Sequence, residues 1–312
     1  MIDSLVAFFV EGFVALQRAV FEPLVPLLHQ MGLGHLLEEA FTACGWFLMG
    51  LLQIVLMIAV LVPLQRWRPL ESLGDRAAVR ADIFYTLIHR LGLFRVALFF
   101  ALDPAFNSLF GFLRTQGLPT WHLDQLWPGL TDQPLVSFLL YLIVFDFLSY
   151  WIHRGQHRLQ FWWQLHALHH SQRQMTLWTD NRNHFLDDLI VSFLFVVAAQ
   201  LIGVAPEQFM VLVALTQLSE SLQHANVRLN FGRVTERMWV TPRFHRAHHS
   251  IESGEHNYGV LLPWWDMVFG TARFDLGHGP TGLMDQVTHQ RDYGQGLWAQ
   301  QWLGLKRLVG RA

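Results

Sequence analysis

Polar residues are almost absent from Cys44 to Val62, "CGWFLMGLLQIVLMIAVLV", where Gln53 is the only strongly polar member. At 1.5 Å per residue this run comes close to the roughly 30 Å of a bilayer core and predicts a transmembrane helix. Pro63 and then Arg66, Arg68, Arg76 and Arg80 mark its exit, and the arginines identify the cytoplasmic side. A second apolar stretch, 83–102, reads as a span interrupted by His89, Arg90 and Arg95, so that its first half lies at the interface. The loop 103–134 is rich in Pro, Gly and Trp with Arg114 as its one strong base, which suits the outer side and returns the chain for a third span at 135–152. Another apolar run covers 186–204, and Pro206 separates it from 207–223, a pattern that predicts a helical hairpin. The Arg-bearing segment from His153 to His184 and everything after His224 then face the cytoplasm. The start, "MIDSLVAFFVEGF", is acidic and lacks a small-residue cleavage site, so it reads as an amphipathic or interfacial helix and not as a signal peptide. The expected architecture is all-α: polytopic membrane helices, about four spans including the hairpin, with a cytoplasmic helical cap.

Composition agrees with a membrane. Of the 312 residues, 52% are hydrophobic before glycine is counted and 15% are charged, against about 45–50% and 25% in soluble domains. A net charge of −2 with no long basic run gives no reason to expect nucleic acid as a partner. The single cysteine, Cys44, excludes an internal disulfide framework, a cysteine-based zinc site and an iron–sulfur cluster. Any electrons the protein uses come from elsewhere.

The chemistry lies in the histidines. Ten of the 17 fall between His153 and His249, about twice what even scatter gives. "HRGQH" puts His153 and His157 at i, i+4; "HALHH" and "HRAHH" put His166, His169, His170 and His245, His248, His249 at i, i+3, i+4. On a helix these offsets place imidazoles on one face, close enough to share an ion. Ligand type alone does not choose among Zn, Cu, Fe and Ni, but eight histidines exceed the four positions of one structural zinc, and two metals are the natural count. His184 and His224 border the hairpin helices on the same side and complete the set of expected ligands. Asp146 and Tyr150 share a helical stripe with His153 and His157, which suits them to orient the ligands, and Glu220 lies one turn before His224. Asp180, Asp187 and Asp188 are further candidates around His184. His256, just after the last cluster, reads as structural or as a neighbour of the ligands, and His89 as structural. The bland alternative for any one histidine is a hydrogen-bonded structural role, and for "FWW" and "PWWD" it is interfacial anchoring. No Gly-rich phosphate loop, G-x-S-x-G elbow or H-E-x-x-H helix occurs.

These motifs resemble the membrane fatty acid hydroxylase/sterol desaturase superfamily, whose histidine boxes read HxxxH, HxxHH and HxxHH. The resemblance runs from about Asp146 to Thr271 and includes "TPRFHRAHH" at 241–249 and "NYGVLLPWWDMVFGT" at 257–271. "HAN" around His224 is closer in style to the sterol desaturase and alkylglycerol monooxygenase relatives. The resemblance implies a di-iron centre that uses O2 against an unactivated C–H bond of an acyl, alkyl or sterol lipid. An external donor such as ferredoxin, or cytochrome b5 with a reductase, would supply the electrons. It carries His153, His157, His166, His169, His170, His245, His248 and His249 over as box ligands, with His184 and His224 as additional ones and no catalytic residue beyond the metal centre. Some relatives have a second HxxxH where this chain has Glu220 and His224, which leaves the ligand count at one metal open. The implied division is an N-terminal membrane region 1–134, a catalytic region 135–275 and a cytoplasmic tail 276–312. The multi-pass protein would place its metal site on the cytoplasmic side of a bacterial inner membrane or endoplasmic reticulum. The rival reading is a non-catalytic metal-binding or zinc-transport membrane protein, which would need ligands along a permeation route through the middle of the bilayer.

Overall fold

The apolar run around Gln53 forms a long helix, as its hydropathy demands. In the computed structural model, which describes residues 2–94, 103–252 and 255–311, α1 is Ile2–Phe21, α2 Val25–Gln30 and α3 Leu37–Leu56. A π-helical turn at Met57–Leu61 leads into α4, Val62–Trp67, where Pro63 sits in the first turn and needs no N–H partner. Next come α5, Arg76–Arg90, and α6, Asp103–Thr115. The helices that carry the chemistry follow: α7 (Pro134–Arg158), α8 (Gln160–His170), α9 (Phe185–Ile202) and α10 (Pro206–His224). Short α11 (Gly232–Met238), α12 (Pro242–His248), α13 (Trp264–Val268) and α14 (Met284–Thr288) precede the last helix, α15 (Leu297–Leu308). Among the described residues the only β-pairing is one isolated bridge, Ser250 to Thr281.

Among the described residues, three helical stretches are long and apolar enough to cross a membrane: Gly34–Trp67, Pro134–Arg158 and Phe185–Ile202. The second expected span is the one that differs. α5 ends at Arg90, where Gly92 takes a left-handed φ of 73° that breaks the helix, and 95–102 lie outside the described residues. The hairpin forms as its sequence predicts: Gly203, left-handed with φ 67°, closes α9, and Pro206 opens α10 at a position that favours proline.

The chain divides into two compact units, 1–55 with 87–118 and 56–86 with 119–312. In the second, Tyr141, Phe145 and Leu212 bring α7 against α10, with Phe195 of α9 stacked on Phe145 at 5.8 Å. A second cluster of Met57, Leu61, Leu177, Ala225 and Val227 packs under the segments that follow α8 and α10. These contacts fix the ends of α7, α8 and α10, and the histidines stand at those ends. Within the segment read as the tail, 276–312, α15 packs along α8.

Candidate metal centre

The HxxxH, HxxHH and HxxHH spacings all fall on helices. His153 and His157 lie in the last turns of α7, His166, His169 and His170 in α8, and His245 and His248 in α12, with His249 at its C-terminal boundary. Thr241 starts α12 by accepting a hydrogen bond from the Phe244 N–H, and Pro242 occupies the first turn, so the Thr-Pro pair sets the phase of that box.

Two groups of four imidazoles result. In one, His153, His157, His166 and His170 offer nitrogens that all lie within 4.8 Å of one another; in the other, His169, His224, His245 and His249 do the same. All eight are buried except His157, which is half-buried. The groups share a wall, since the rings of His170 and His249 stack at 4.2 Å. His248 joins the first group from the third box, its ring 4.5 Å from that of His153 and 4.6 Å from that of His157.

Hydrogen bonds on the far side of several rings fix which nitrogen faces inward. His153 Nδ1 donates to the Tyr258 carbonyl at 2.9 Å, His248 Nδ1 to the His256 carbonyl at 2.6 Å and His224 Nδ1 to the Glu220 carbonyl at 2.8 Å. His166 Nδ1 donates to Asp187 at 3.2 Å. In a neutral imidazole the other nitrogen then carries a lone pair and no proton. His224 Nε2 nevertheless lies 3.1 Å from His169 Nε2 and 3.0 Å from His245 Nε2, and the buried Nε2 atoms of His166 and His248 have no hydrogen-bond partner. Converging lone pairs in a dry site repel unless a proton or a metal cation lies between them, and the unpartnered Nε2 atoms of His166 and His248 have no proton donor in reach. Edges near 3 Å also suit metal–nitrogen bonds of about 2.0–2.1 Å, so the donor set fits two imidazole-bound metal ions.

Burial, followed by the neighbouring imidazoles, pushes His169, His170, His245, His248 and His249 well below their ordinary value of 6.5, which keeps them in the neutral, metal-binding form. In the unfolded chain they protonate near 6.5, so on acidification the unfolded state takes up protons that the folded state does not. Each such histidine then removes up to about 1.4 kcal/mol of stability per pH unit below 6.5. The metal-free protein is therefore expected to lose thermal stability steeply between pH 7 and 5.5, and a flat melting profile over that range would contradict the buried neutral clusters.

The remaining expected residues have other places. His184 stands outside both groups: its Nδ1 accepts from the Leu186 N–H as the N-cap of α9, and its Nε2 donates to the Gln301 carbonyl at 2.9 Å. With both nitrogens committed, it joins α9 to α15. Glu220 contributes no atom to either group; its main-chain carbonyl receives His224. Asp180 accepts from Ser221 at 2.8 Å and so ties the 179–181 turn to α10. Tyr150 pairs its hydroxyl with Thr271 at 3.1 Å, and Asp146 accepts the Leu261 and Leu262 N–H groups and the Trp265 indole. His256 serves through its carbonyl.

Several of these contacts explain strings that spacing leaves without a role. In "NYG…WWD", Asp266 accepts the Tyr258 and Gly259 N–H groups at 2.8 and 2.6 Å, which aims the Tyr258 carbonyl at His153. Asn257 takes a left-handed φ of 58°, and its amide bonds the Phe244 carbonyl of α12 at 3.0 Å. In "FWW" only Phe161 is exposed. Trp162 is buried and donates to Asp187 at 2.6 Å, and the Trp163 ring lies 4.9 Å from that of His157. The interfacial-anchor reading therefore gives way to packing behind the ligands.

Asp187 collects Gln156, Trp162 and His166 on one carboxylate, the most connected support of any ligand here. Asp187→Asn is expected to weaken metal retention about 10–100-fold with helix content unchanged. Chelator competition measures this, and wild-type retention would remove Asp187 from the ligand-orienting set.

Eight convergent imidazoles, two of them at the end of Pro134–Arg158, a helix long and apolar enough to cross a bilayer, define a membrane protein able to hold two metal ions. The fatty acid hydroxylase family matches residues 138–271, the stretch that contains every one of these histidines. An ornithine lipid hydroxylase of Rhizobium tropici is 31% identical over 232 residues, 72% of this chain and 66% of that protein. A Δ7-sterol 5(6)-desaturase of Aspergillus fumigatus is 31% identical over 48% of this chain and 51% of its own length. An alkylglycerol monooxygenase of Caenorhabditis elegans is 26% identical over 48% of this chain and 29% of its own. The chain thus spans just under two thirds of the first of these relatives, about half of the second and under a third of the third. No solved structure matches it significantly. Over residues 138–271 the chain thus matches the fatty acid hydroxylase family, and the relatives it resembles are by name a lipid hydroxylase, a sterol desaturase and an alkylglycerol monooxygenase.

Proposed function

We propose that this protein is an O2-dependent di-iron hydroxylase of a membrane lipid, with 135–275 as its catalytic region. The observation that carries the reading is the pair of buried four-imidazole groups sharing one wall. His153, His157, His166 and His170, joined by His248, would hold one iron, and His169, His224, His245 and His249 the other. Imidazole is a ligand for iron, and two irons, when bound, supply reduction of O2 and oxidation of a C–H bond. The chain's own residues do the rest. Asp187 and the carbonyls of Tyr258, His256 and Glu220 orient the rings, while Trp162, Leu165 and Leu168 exclude water behind the second box.

In the overall reaction a C–H bond becomes C–OH, one oxygen atom enters the product, the other leaves as water, and two electrons and two protons are consumed. A separate carrier, ferredoxin or cytochrome b5 with its reductase, would deliver the electrons at the cytoplasmic side. The ornithine lipid hydroxylase relative supports a polar, acyl-bearing membrane lipid as substrate.

The test is turnover under 18O2 with Fe(II), reductant and membrane lipids, read by mass spectrometry. Labelled hydroxylated lipid supports the reading. Unlabelled product, or zinc flux in proteoliposomes without oxidation, overturns it. An alkene formed without label would assign the same centre to desaturation, as the sterol desaturase relative does by name.

A further inference from the structure

The last helix, α15, has two faces. Leu297, Gln300, Gln301, Gly304 and Arg307 are buried. Gln301 is the clamp: its side-chain carbonyl accepts the Phe185 N–H at 2.8 Å, its amide donates to the Asn183 carbonyl at 3.0 Å, and its main-chain carbonyl receives His184. A methyl group at Gly304 would overlap the His184 ring, and Arg307 Nε donates to the Gln164 carbonyl of α8 at 3.3 Å. The opposite face carries Trp298, Trp302, Leu305 and Val309 at steps of four, three and four, with exposures of 78, 59, 40 and 65%.

Two independent features say what covers that stripe. The first is depth. α9 has 18 residues and an apolar composition, about 27 Å of helix for a core of about 30 Å, so both its ends reach the headgroup layer. Phe185 is its first residue, and Gln301 is bonded to it, so α15 lies at that layer. α8, which α15 also packs on, starts two residues beyond the end of the spanning helix α7. The second is charge. Residues 297–311 hold Lys306, Arg307 and Arg311 and no acid, and the Lys306 ammonium lies 5.7 Å from the Trp302 ring. Tryptophans with basic neighbours are the composition that settles among phospholipid headgroups.

We propose that α15 lies in the bilayer surface, with Trp298, Trp302, Leu305 and Val309 inserted among the acyl-chain ends of anionic phospholipid. The helix that supports α8 is thereby itself a membrane-contact element. This inference rests on the spans and the packing of α15, independently of the oxidation chemistry.

The experiment uses full-length protein with Cys44→Ala and a single nitroxide-labelled cysteine, Trp302→Cys or Val309→Cys, in phosphatidylcholine–phosphatidylglycerol vesicles. Asp292→Cys, in the exposed loop before α15, is the reference, and size-exclusion profiles with iron content report folding. The expected result is a ratio of O2 to nickel-chelate collision rates several-fold higher at 302 and 309 than at 292. Equal ratios at all three positions overturn the proposal. Spin–spin broadening that disappears on dilution with unlabelled chain also overturns it, in favour of a second copy covering the stripe. The Val309→Cys label, at the last turn, decides the matter if Trp302→Cys does not fold.

Discussion

His224→Ala is expected to lower bound iron from about two ions per chain to about one and to bring lipid oxidation to background, because a two-metal reaction fails when one ion is lost. The magnitude follows from position. His224 Nε2 sits between His169 and His245 at 3.1 and 3.0 Å, so its removal opens the middle of the second group, and no carboxylate belongs to that group as a substitute. Metal analysis of the purified protein and product formation from lipid are the two readouts. A variant that retains both irons and wild-type turnover would show that the second group is not a metal site.

The second large effect falls on a residue outside every histidine motif. Asp82, in α5 and fully buried, accepts from Arg182 at 2.8 Å and also from Gln172 and Thr179. All three donors belong to the segment joining α8 to α9, and the buried Arg182 has its only ion pair with this carboxylate among the described residues. Asp82→Ala is expected to cost about 3–5 kcal/mol, the loss seen when one partner of a buried pair is removed and the other charge stays. Denaturant unfolding in detergent measures it. The double variant Asp82→Leu with Arg182→Met is expected to recover most of the loss, since no unpaired charge then remains. An Asp82→Ala protein as stable as the wild type would mean that water reaches this pair.

Much of this was legible in the sequence, because it is written in local periods. The run around Gln53, the Pro206-punctuated hairpin and the i, i+3, i+4 histidines each depend on residues within a few turns of one another, and those elements form as expected. What spacing could not assign is which nitrogens converge. That depends on contacts across more than 50 residues, such as His169 with His224. His184 illustrates the limit: its place at the border of a hairpin helix gave it the look of a ligand, and only the fold reveals that it caps α9 and holds α15. Asp187 was one of three acids near His184 until the Trp162 indole and the His166 ring were seen on its carboxylate. The packing of the tail is illegible for the opposite reason. Its polar face is spent on Gln301 and Arg307 contacts inside the protein, so in a linear reading the alternation has no clear outward side.

The two imidazole groups differ in how much chain each must gather. His153, His157, His166 and His170 fall within 18 consecutive residues, whereas His169 and His249 are 80 apart with both hairpin helices between them. During synthesis the four boxed nitrogens of the first group are all available once α8 has emerged. The second group waits until α10 has formed and α12 has folded back, and it carries the larger loop-closure entropy. The structure thus sets an order of assembly: four ligands of the first group are available early, His248 joins them only with α12, and the second group closes last, once α10 and α12 are both in place.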